Sequence, residues 1–365
     1  MKGKGGAPAA GPLVVDLPGT RLTPEDAELL RHPLVGGVLL FARNQESRRQ
    51  VTALARAVRR LKSPALLVMA DQEGGRVQRL RHGFAPLPAF GLLGRSYERR
   101  PERALRLAAD IAWLMAAEIA AAGLDLSLTP VLDLGGNRSV IGDRAFHRDP
   151  DIVCRLGRAC RHGLRQAGMA AVAKHFPGHG AVAGDTHRER CTDPREYSRI
   201  RDSDLRPFAA AIREGIEGVM MGLVTYPAVC EGPALYSAAW IRDILKGRLG
   251  FKGTVLSDDI GMEAAAVVAD HADRFVACRE AGCDLVLLCN RRQQVERLVD
   301  RLRPQEWLLA ARKLDALRGA GGVRDSGFPR NCPRWRRARA ALAALRREAE
   351  AAAPQETETA GAASS

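Results

Sequence analysis

Short, densely apolar runs alternate along the chain with longer stretches whose apolar positions recur at three- and four-residue intervals. The runs are Leu13–Leu17, Gly37–Phe41, Ala65–Ala70, Leu126–Leu134, Ala171–His175, Gly218–Val224, Thr254–Ser257 and Leu285–Cys289. Between them lie amphipathic segments, among them Glu46–Leu61, Pro101–Ala121, Asp151–Gln166, Asp204–Glu214, Ala238–Arg248 and Met262–Ala281. A strand that is apolar on nearly every position is buried on both faces, and helices between such strands imply a parallel sheet. Eight units close more readily into a (β/α)8 TIM-type barrel than they spread into an open sheet. A doubly wound sheet would carry a glycine-rich phosphate loop after its first strand, and Leu17-Pro18-Gly19-Thr20 is not one.

Both ends read as peripheral. Residues 1–11 are expected to be a flexible N-terminus and 12–304 the catalytic barrel. A basic, partly helical region should follow over 305–347, with Arg334–Arg347 as an exposed helix, and then a low-complexity tail over 348–365.

Composition adds little to that outline until charge is located. The chain has 365 residues, 46% of them hydrophobic, and a formal net charge of +14. Between Arg301 and Glu350, 13 Lys and Arg stand against 5 Asp and Glu, so the excess is largely a property of the C-terminal region. An anionic-polymer binder is therefore one class to weigh. The region's most basic stretch, Arg334–Arg347, offers only Trp335 as an aromatic for stacking, so nucleic acid is not expected as a partner. The eight cysteines form no CxxC pair, which fits neither a disulfide scaffold nor a structural zinc site and suggests a reducing, cytoplasmic setting. No run of 18 apolar residues exists, so no membrane span is expected.

Chemistry in a barrel gathers where the C-terminal ends of the strands and their loops converge. Polar residues follow four of the runs: Asp71-Gln72-Glu73-Gly74-Gly75-Arg76, Asp133 with Gly135-Gly136-Asn137-Arg138, Lys174-His175-Phe176-Pro177-Gly178-His179-Gly180, and Asp258-Asp259. Strand alternation lets only one of Asp258 and Asp259 face the mouth; the bland alternative is that both cap a helix beginning near Met262. In the segment from Lys174 to His187, the residues His175, His179, Asp185 and His187 could form a metal site. Lys174 would repel a cation there, and the alternative is that Asp185 orients the His187 imidazole without a metal.

These motifs, with Ile141-Gly142-Asp143-Arg144-Ala145-Phe146 and His32-Pro33-Leu34-Val35-Gly36-Gly37, resemble glycoside hydrolase family 3. The likeness is to its bacterial β-N-acetylhexosaminidase branch, which recycles cell-wall fragments, and it runs from about residue 12 to 300. It implies Asp258 as nucleophile and His187, oriented by Asp185, as acid/base. Asp71, Arg79, Arg144, Lys174 and His175 match its sugar-binding positions. The implied activity is retaining cleavage of terminal β-linked N-acetylglucosamine from muropeptide fragments, without cofactor or metal, by a monomer or weak homo-oligomer. A histidine acid/base would tolerate phosphate as well as water in the second step, so a phosphorylase is the near alternative, and a non-catalytic sugar binder a further one. One departure stands out. Many relatives carry Met-x-x-His after the sixth strand, where this chain reads Met220-Met221-Gly222-Leu223-Val224.

Overall fold

The computed structural model describes residues 9–135, 140–319 and 332–351. Eight parallel strands carry the fold: β1 (Leu13–Asp16), β2 (Val35–Leu40), β3 (Leu67–Ala70), β4 (Leu126–Ser127), β5 (Val172–Phe176), β6 (Gly218–Met221), β7 (Thr254–Asp259) and β8 (Leu285–Leu287). Their hydrogen-bonded order is β4-β3-β2-β1-β8-β7-β6-β5. The ends of that sheet meet where Val131 bridges Lys174 and where the Leu132 N–H donates to the Lys174 carbonyl at 2.8 Å. The sheet thus closes as a (β/α)8 barrel, as the pattern predicts. Every residue of β2, β3, β5 and β6 is buried, which is why those runs show no polar alternation.

The surrounding helices are α1 (Pro24–Arg31), α2 (Arg48–Arg59), α3 (Gly91–Arg99), α4 (Pro101–Ala121), α5 (Pro150–Gln166), α6 (Leu205–Arg213), α7 (Ala239–Arg248), α8 (His271–Ala281), α9 (Arg292–Arg301), α10 (Arg312–Arg318) and α11 (Pro333–Ala351). Side-chain caps fix several starts. Thr23 forms a capping box with Asp26, Ser47 accepts from Gln50 N–H, and Asp149 accepts from Asp151 N–H. Asp270 accepts from Ala272 and Asp273 N–H, so α8 begins at His271. That corrects the expectation of a helix from Met262: residues 263–265 form one short turn, and Asp258 and Asp259 cap no helix there.

The outer segments are tied down more than their composition suggests. Ala9–Ala10 pairs antiparallel with Leu309–Ala310. Helix α11 is not an exposed helix: it buries Ala338, Leu342 and Leu345 and packs along α4, because its small and apolar residues recur every three or four positions. The tail expected over 348–365 lies outside the described residues beyond 351, as do the first eight residues and Gly136, Asn137 and Arg138.

Helices α4 and α5 approach closely at Gly163, where an added Cβ would lie 2.1 Å from the Ala109 carbonyl oxygen. Gly163→Ala is therefore expected to cost about 1–3 kcal/mol of stability despite the better helix propensity of alanine. Gly232→Ala, with open space around the new methyl, should be close to neutral. Denaturant titration of both variants checks the pair, and equal midpoints would refute the close approach.

Candidate active site

A cavity of about 350 Å³ opens at the C-terminal ends of the strands. Its wall draws on three of the four polar clusters, those that begin at Asp71, Lys174 and Asp258, together with Arg144 from the loop after β4. Asp71, Arg79, Arg144, Lys174, His175, Asp185, His187 and Asp258 all line it, so every residue singled out for a role stands in one site.

Asp71 follows β3, and the chain then folds into a small antiparallel hairpin, Gln72–Gly74 against Val77–Gln78. The hairpin turns Glu73 inward beneath the mouth. There the Lys174 ammonium sits 2.6 Å from Glu73 Oε1 and 2.7 Å from Asp71 Oδ1. The Arg144 guanidinium donates to both Glu73 oxygens, at 2.7 and 2.8 Å. Glu73 and Lys174 are only 4% and 3% exposed at their side chains. Burial alone would raise the Glu73 carboxyl, but Arg144 and Lys174 hold it far below the usual carboxylate range. Lys174, which burial would lower, is instead kept above its ordinary value by Asp71 and Glu73. Arg79 Nη2 lies 3.8 Å from Asp71 Oδ2, and its guanidinium packs on the Phe41 ring.

A second cluster organises the loop after β5. Asp133 is fully buried; it meets the His175 ring Nδ1 at 2.7 Å and accepts the backbone N–H groups of His175 and His179. Burial would raise its carboxyl, yet His175 and those donors bring it below the ordinary value. The Tyr226 hydroxyl donates to the Gly178 carbonyl from beneath, anchoring the turn between the two histidines. His179 is buried in the cavity wall with neither ring nitrogen hydrogen-bonded, and burial lowers its pKa against the pull of Asp133.

Asp185 and His187 lie farther out on the same loop. Asp185 Oδ1 accepts from the His187 backbone N–H at 2.9 Å and contacts its ring Nδ1 at 2.8 Å. Burial would raise Asp185, but those two bonds lower it. That contact occupies Nδ1, so Nε2 is the nitrogen left to meet a substrate. His187 is 61% exposed. The Thr186 carbonyl between them accepts from Ala264 N–H at 3.2 Å, linking this loop to the one after β7.

The adjacent carboxylates at the end of β7 have different neighbours. Asp259 Oδ1 accepts from Gly261 N–H at 2.8 Å and Cys289 N–H at 3.1 Å, so it ties β7 to the segment after β8. Asp258 accepts from its neighbour's backbone N–H at 2.8 Å and lines the cavity without a cationic partner among the described residues. Burial pushes the Asp259 carboxyl up to about 7, against the pull of its two N–H donors.

Glu73 and Asp133 support the site although the sequence motifs gave them no role, and His179, weighed in the sequence as a metal ligand, is part of the cavity wall. The signal for the first two was their place after buried strands; which cation each would meet depends on a closure that no local pattern records. Where relatives are expected to carry a histidine, Leu223 is buried away from the cavity and Met220 supplies an apolar wall. Among the described residues, no group of three or more His, Cys, Asp and Glu side chains is arranged to hold a metal ion.

A closed barrel with two carboxylates and a carboxylate-oriented histidine at its mouth defines a glycosidase-like site, and comparison with known proteins gives the class. Residues 13–314 match the glycosyl hydrolase family 3 N-terminal domain. The chain belongs to glycosyl hydrolase family 3, as its motifs led one to expect, and is a glycoside hydrolase. It is 46% identical over 310 residues to a β-hexosaminidase of Nitrosomonas eutropha, covering 85% of this chain and 89% of that protein. It is 51% identical over 286 residues to a β-hexosaminidase of Alkalilimnicola ehrlichii, covering 78% and 82%. The crystal structure of NagZ from Neisseria gonorrhoeae in complex with N-trifluoroacetyl-D-glucosamine superposes with a TM-score of 0.86 at 37% identity, over 92% of this chain and 98% of that one.

The raised Asp259 carboxyl makes a pH prediction. The folded chain holds that proton more tightly than the unfolded chain, so stability falls as pH rises from the ordinary carboxylate range near 4 towards 7. Asp259→Asn keeps a carbonyl acceptor for the two N–H groups and removes the titration. Relative to the parent, it should be more favourable at pH 7.5 than at pH 4.5 in chemical denaturation. Parallel pH profiles would reject the assignment.

Proposed function

We propose that the chain is a retaining exo-β-N-acetylglucosaminidase that removes terminal β-linked N-acetylglucosamine from muropeptide fragments, including the disaccharide with 1,6-anhydro-N-acetylmuramic acid. The observation that carries this reading is the union, in one cavity, of a cationic and acidic well, a carboxylate, Asp258, with no cationic partner among the described residues, and a histidine oriented by Asp185. Relatives named β-hexosaminidase and a close fold match solved with an N-acylglucosamine support the sugar class.

In this reading Asp71, Arg79, Arg144, Lys174 and His175 hold the non-reducing sugar. The free acceptor capacity of Asp71 suits paired hydroxyls, and the cations donate to hydroxyl and carbonyl oxygens. In the first step an Asp258 oxygen attacks the anomeric carbon. The glycosidic C–O bond breaks, and the leaving oxygen takes a proton from His187. In the second step His187 takes a proton from water, the water oxygen bonds to the anomeric carbon, and the ester to Asp258 opens. An unperturbed imidazole titrates at about 6.5, close to the pH at which both transfers are needed. The exposure of His187 suits a loop that closes over bound sugar. The cytoplasm is the proposed setting, and among the described residues no helix is long and apolar enough to cross a membrane.

Asp258→Ala is expected to abolish turnover, and a mechanism-based fluorosugar should label Asp258, shown by peptide mapping; label on Asp259 or Glu73 would overturn the assignment. His187→Ala should slow poor leaving groups severely while a dinitrophenyl glycoside gives a burst, because departure then needs little protonation while water attack stays slow. Equal losses for good and poor leaving groups would make His187 a positioning residue instead. Product analysis with and without phosphate separates hydrolysis from phosphorolysis. NagZ from Neisseria gonorrhoeae has also been solved in complex with a zinc ion. Exhaustive chelation is nevertheless expected to leave the rate unchanged, and zinc add-back to give no stimulation; loss on chelation restored by zinc would refute metal independence.

A further inference from the structure

The matched family domain ends at residue 314, whereas α11 spans Pro333–Ala351. One end of this helix joins a continuous buried polar chain. The Trp335 Nε1–H donates to Glu118 Oε1 at 2.8 Å, and the second oxygen of the same carboxylate accepts from Ala85 N–H at 2.6 Å. The Ala85 carbonyl accepts from Gln78 Nε2 at 2.9 Å, and Gln78 Oε1 accepts from Leu87 N–H at 2.8 Å. Gln78 is the last residue of the hairpin, paired across it with Gln72. Gln72 grips Leu80 through both amide atoms, at 2.7 and 2.9 Å. From farther along α11, Arg346 donates to the Leu87 carbonyl at 3.3 Å, which also accepts from Gly75 N–H at 3.1 Å.

The hairpin so held is the one that delivers Glu73 to Lys174 and Arg144 and fixes both ends of the Asp71–Arg79 segment, whose Arg79 N–H donates to the Asp71 carbonyl. Glu118, Gln72 and Gln78 are all nearly fully buried, so each broken bond would leave a polar atom without water to replace its partner. Glu118 is the sensitive joint. Burial holds its carboxyl above the ordinary value, against the pull of the Ala85 and Trp335 donors and of Arg339 and Arg48. None of the three touches the cavity.

We propose that Trp335, through Glu118 and Gln78, is a positioning residue for the sugar-binding well, so that docking of the C-terminal helix sets the affinity of the enzyme for its glycoside. The inference rests on the sugar-site reading given above. Loss of the Trp335 N–H loosens Ala85 and then the hairpin, which shifts the Glu73 anchor of Lys174 and Arg144. Asp258 and the Asp185–His187 pair stand on other loops and are untouched.

The test uses the full chain with Trp335→Phe, which keeps a six-membered aromatic ring in place and removes the N–H donor with the rest of the indole, and a chromogenic β-N-acetylglucosaminide as substrate. KM should rise at least threefold while kcat stays within twofold. Hydrogen exchange should quicken tenfold or more at the amides of Gly75, Leu80, Ala85 and Leu87, with the β5 to β7 strands unchanged. A helix that is only a structural brace would lower the melting temperature and leave KM and those amides as they were, and that result overturns the proposal. Should Trp335→Phe fail to fold, Arg346→Met removes the second tether from a half-buried position and is expected to shift KM in the same direction. An unchanged KM in that variant overturns the proposal equally. Asp71→Ala is the comparator. If it leaves KM unchanged, the sugar-site reading fails; if it raises KM while Trp335→Phe does not, the coupling fails.

Discussion

The geometry of the mouth depends on one buried carboxylate. Glu73 is almost without solvent, and an ion in that position is tolerable only with its charge matched and its oxygens hydrogen-bonded. Lys174 from β5 and Arg144 from the loop after β4 meet that need, and each is itself buried and needs an anion in return. The cluster therefore acts as a three-way lock: it closes the hairpin over the barrel, holds Lys174 against Asp71, and brings the loop after β4 to the rim. Removing Glu73 would strip Arg144 of the carboxylate it grips and leave Lys174 with Asp71 alone. Part of the polarity of the well is thus used on holding the well itself, and Asp71, which lines the cavity with Arg79 as only a distant second cation, is the carboxylate of the cluster that suits the sugar-binding role proposed above.

Beside this rigid well the candidate proton carrier is built differently. Asp185 and His187 are bonded to each other, on a loop containing Gly180 and Gly184 that accepts a backbone hydrogen bond from Ala264 of the loop after β7. Rigidity suits groups that hold a ring in register, and mobility suits a group that gives a proton, lets an aglycone leave and then admits water. Two parts of one site therefore have opposite mechanical requirements, and the fold meets them by placing one on strand ends and a buried ion lock, the other on an exposed turn.

The strands were legible because burial on both faces writes itself into sequence as unbroken apolar runs; each run contains or overlaps its strand. The run Leu126–Leu134 holds only a two-residue strand, since Pro130 has no N–H and the ladder passes instead to Leu132 and Val131 at the closure. The helix expected from Met262 was misplaced because Ala264, Ala265 and Ala266 have helix-like composition, while Asp270 provides the cap that decides the start. Helix α11 was legible as a helix and not as a docked one: its arginines dominate the composition, and the apolar stripe at Ala338, Leu342 and Leu345 is short. Within the site, residue types at strand ends located the chemistry. The lock at Glu73 and the buried Asp133 were not assignable, because their partners come from other strands and loops.

The neighbours Asp258 and Asp259 show how far a local rule reaches and where tertiary structure completes it. Alternation along β7 says that the two side chains diverge but not which one turns to the mouth. The decision comes from β8: Cys289 offers its N–H to Asp259 across the strand boundary, and Gly261 adds a second donor, so Asp259 has a structural claim on it that Asp258 lacks. Asp258, holding a single N–H from its own neighbour and no cation among the described residues, retains acceptor capacity and lines the cavity. A carboxylate that is to bond a carbon needs that freedom, since every donor held tightly to its oxygens lowers their nucleophilicity. The residue best satisfied by the protein is thus Asp259, and the less satisfied Asp258 is the one that suits the nucleophilic role proposed above.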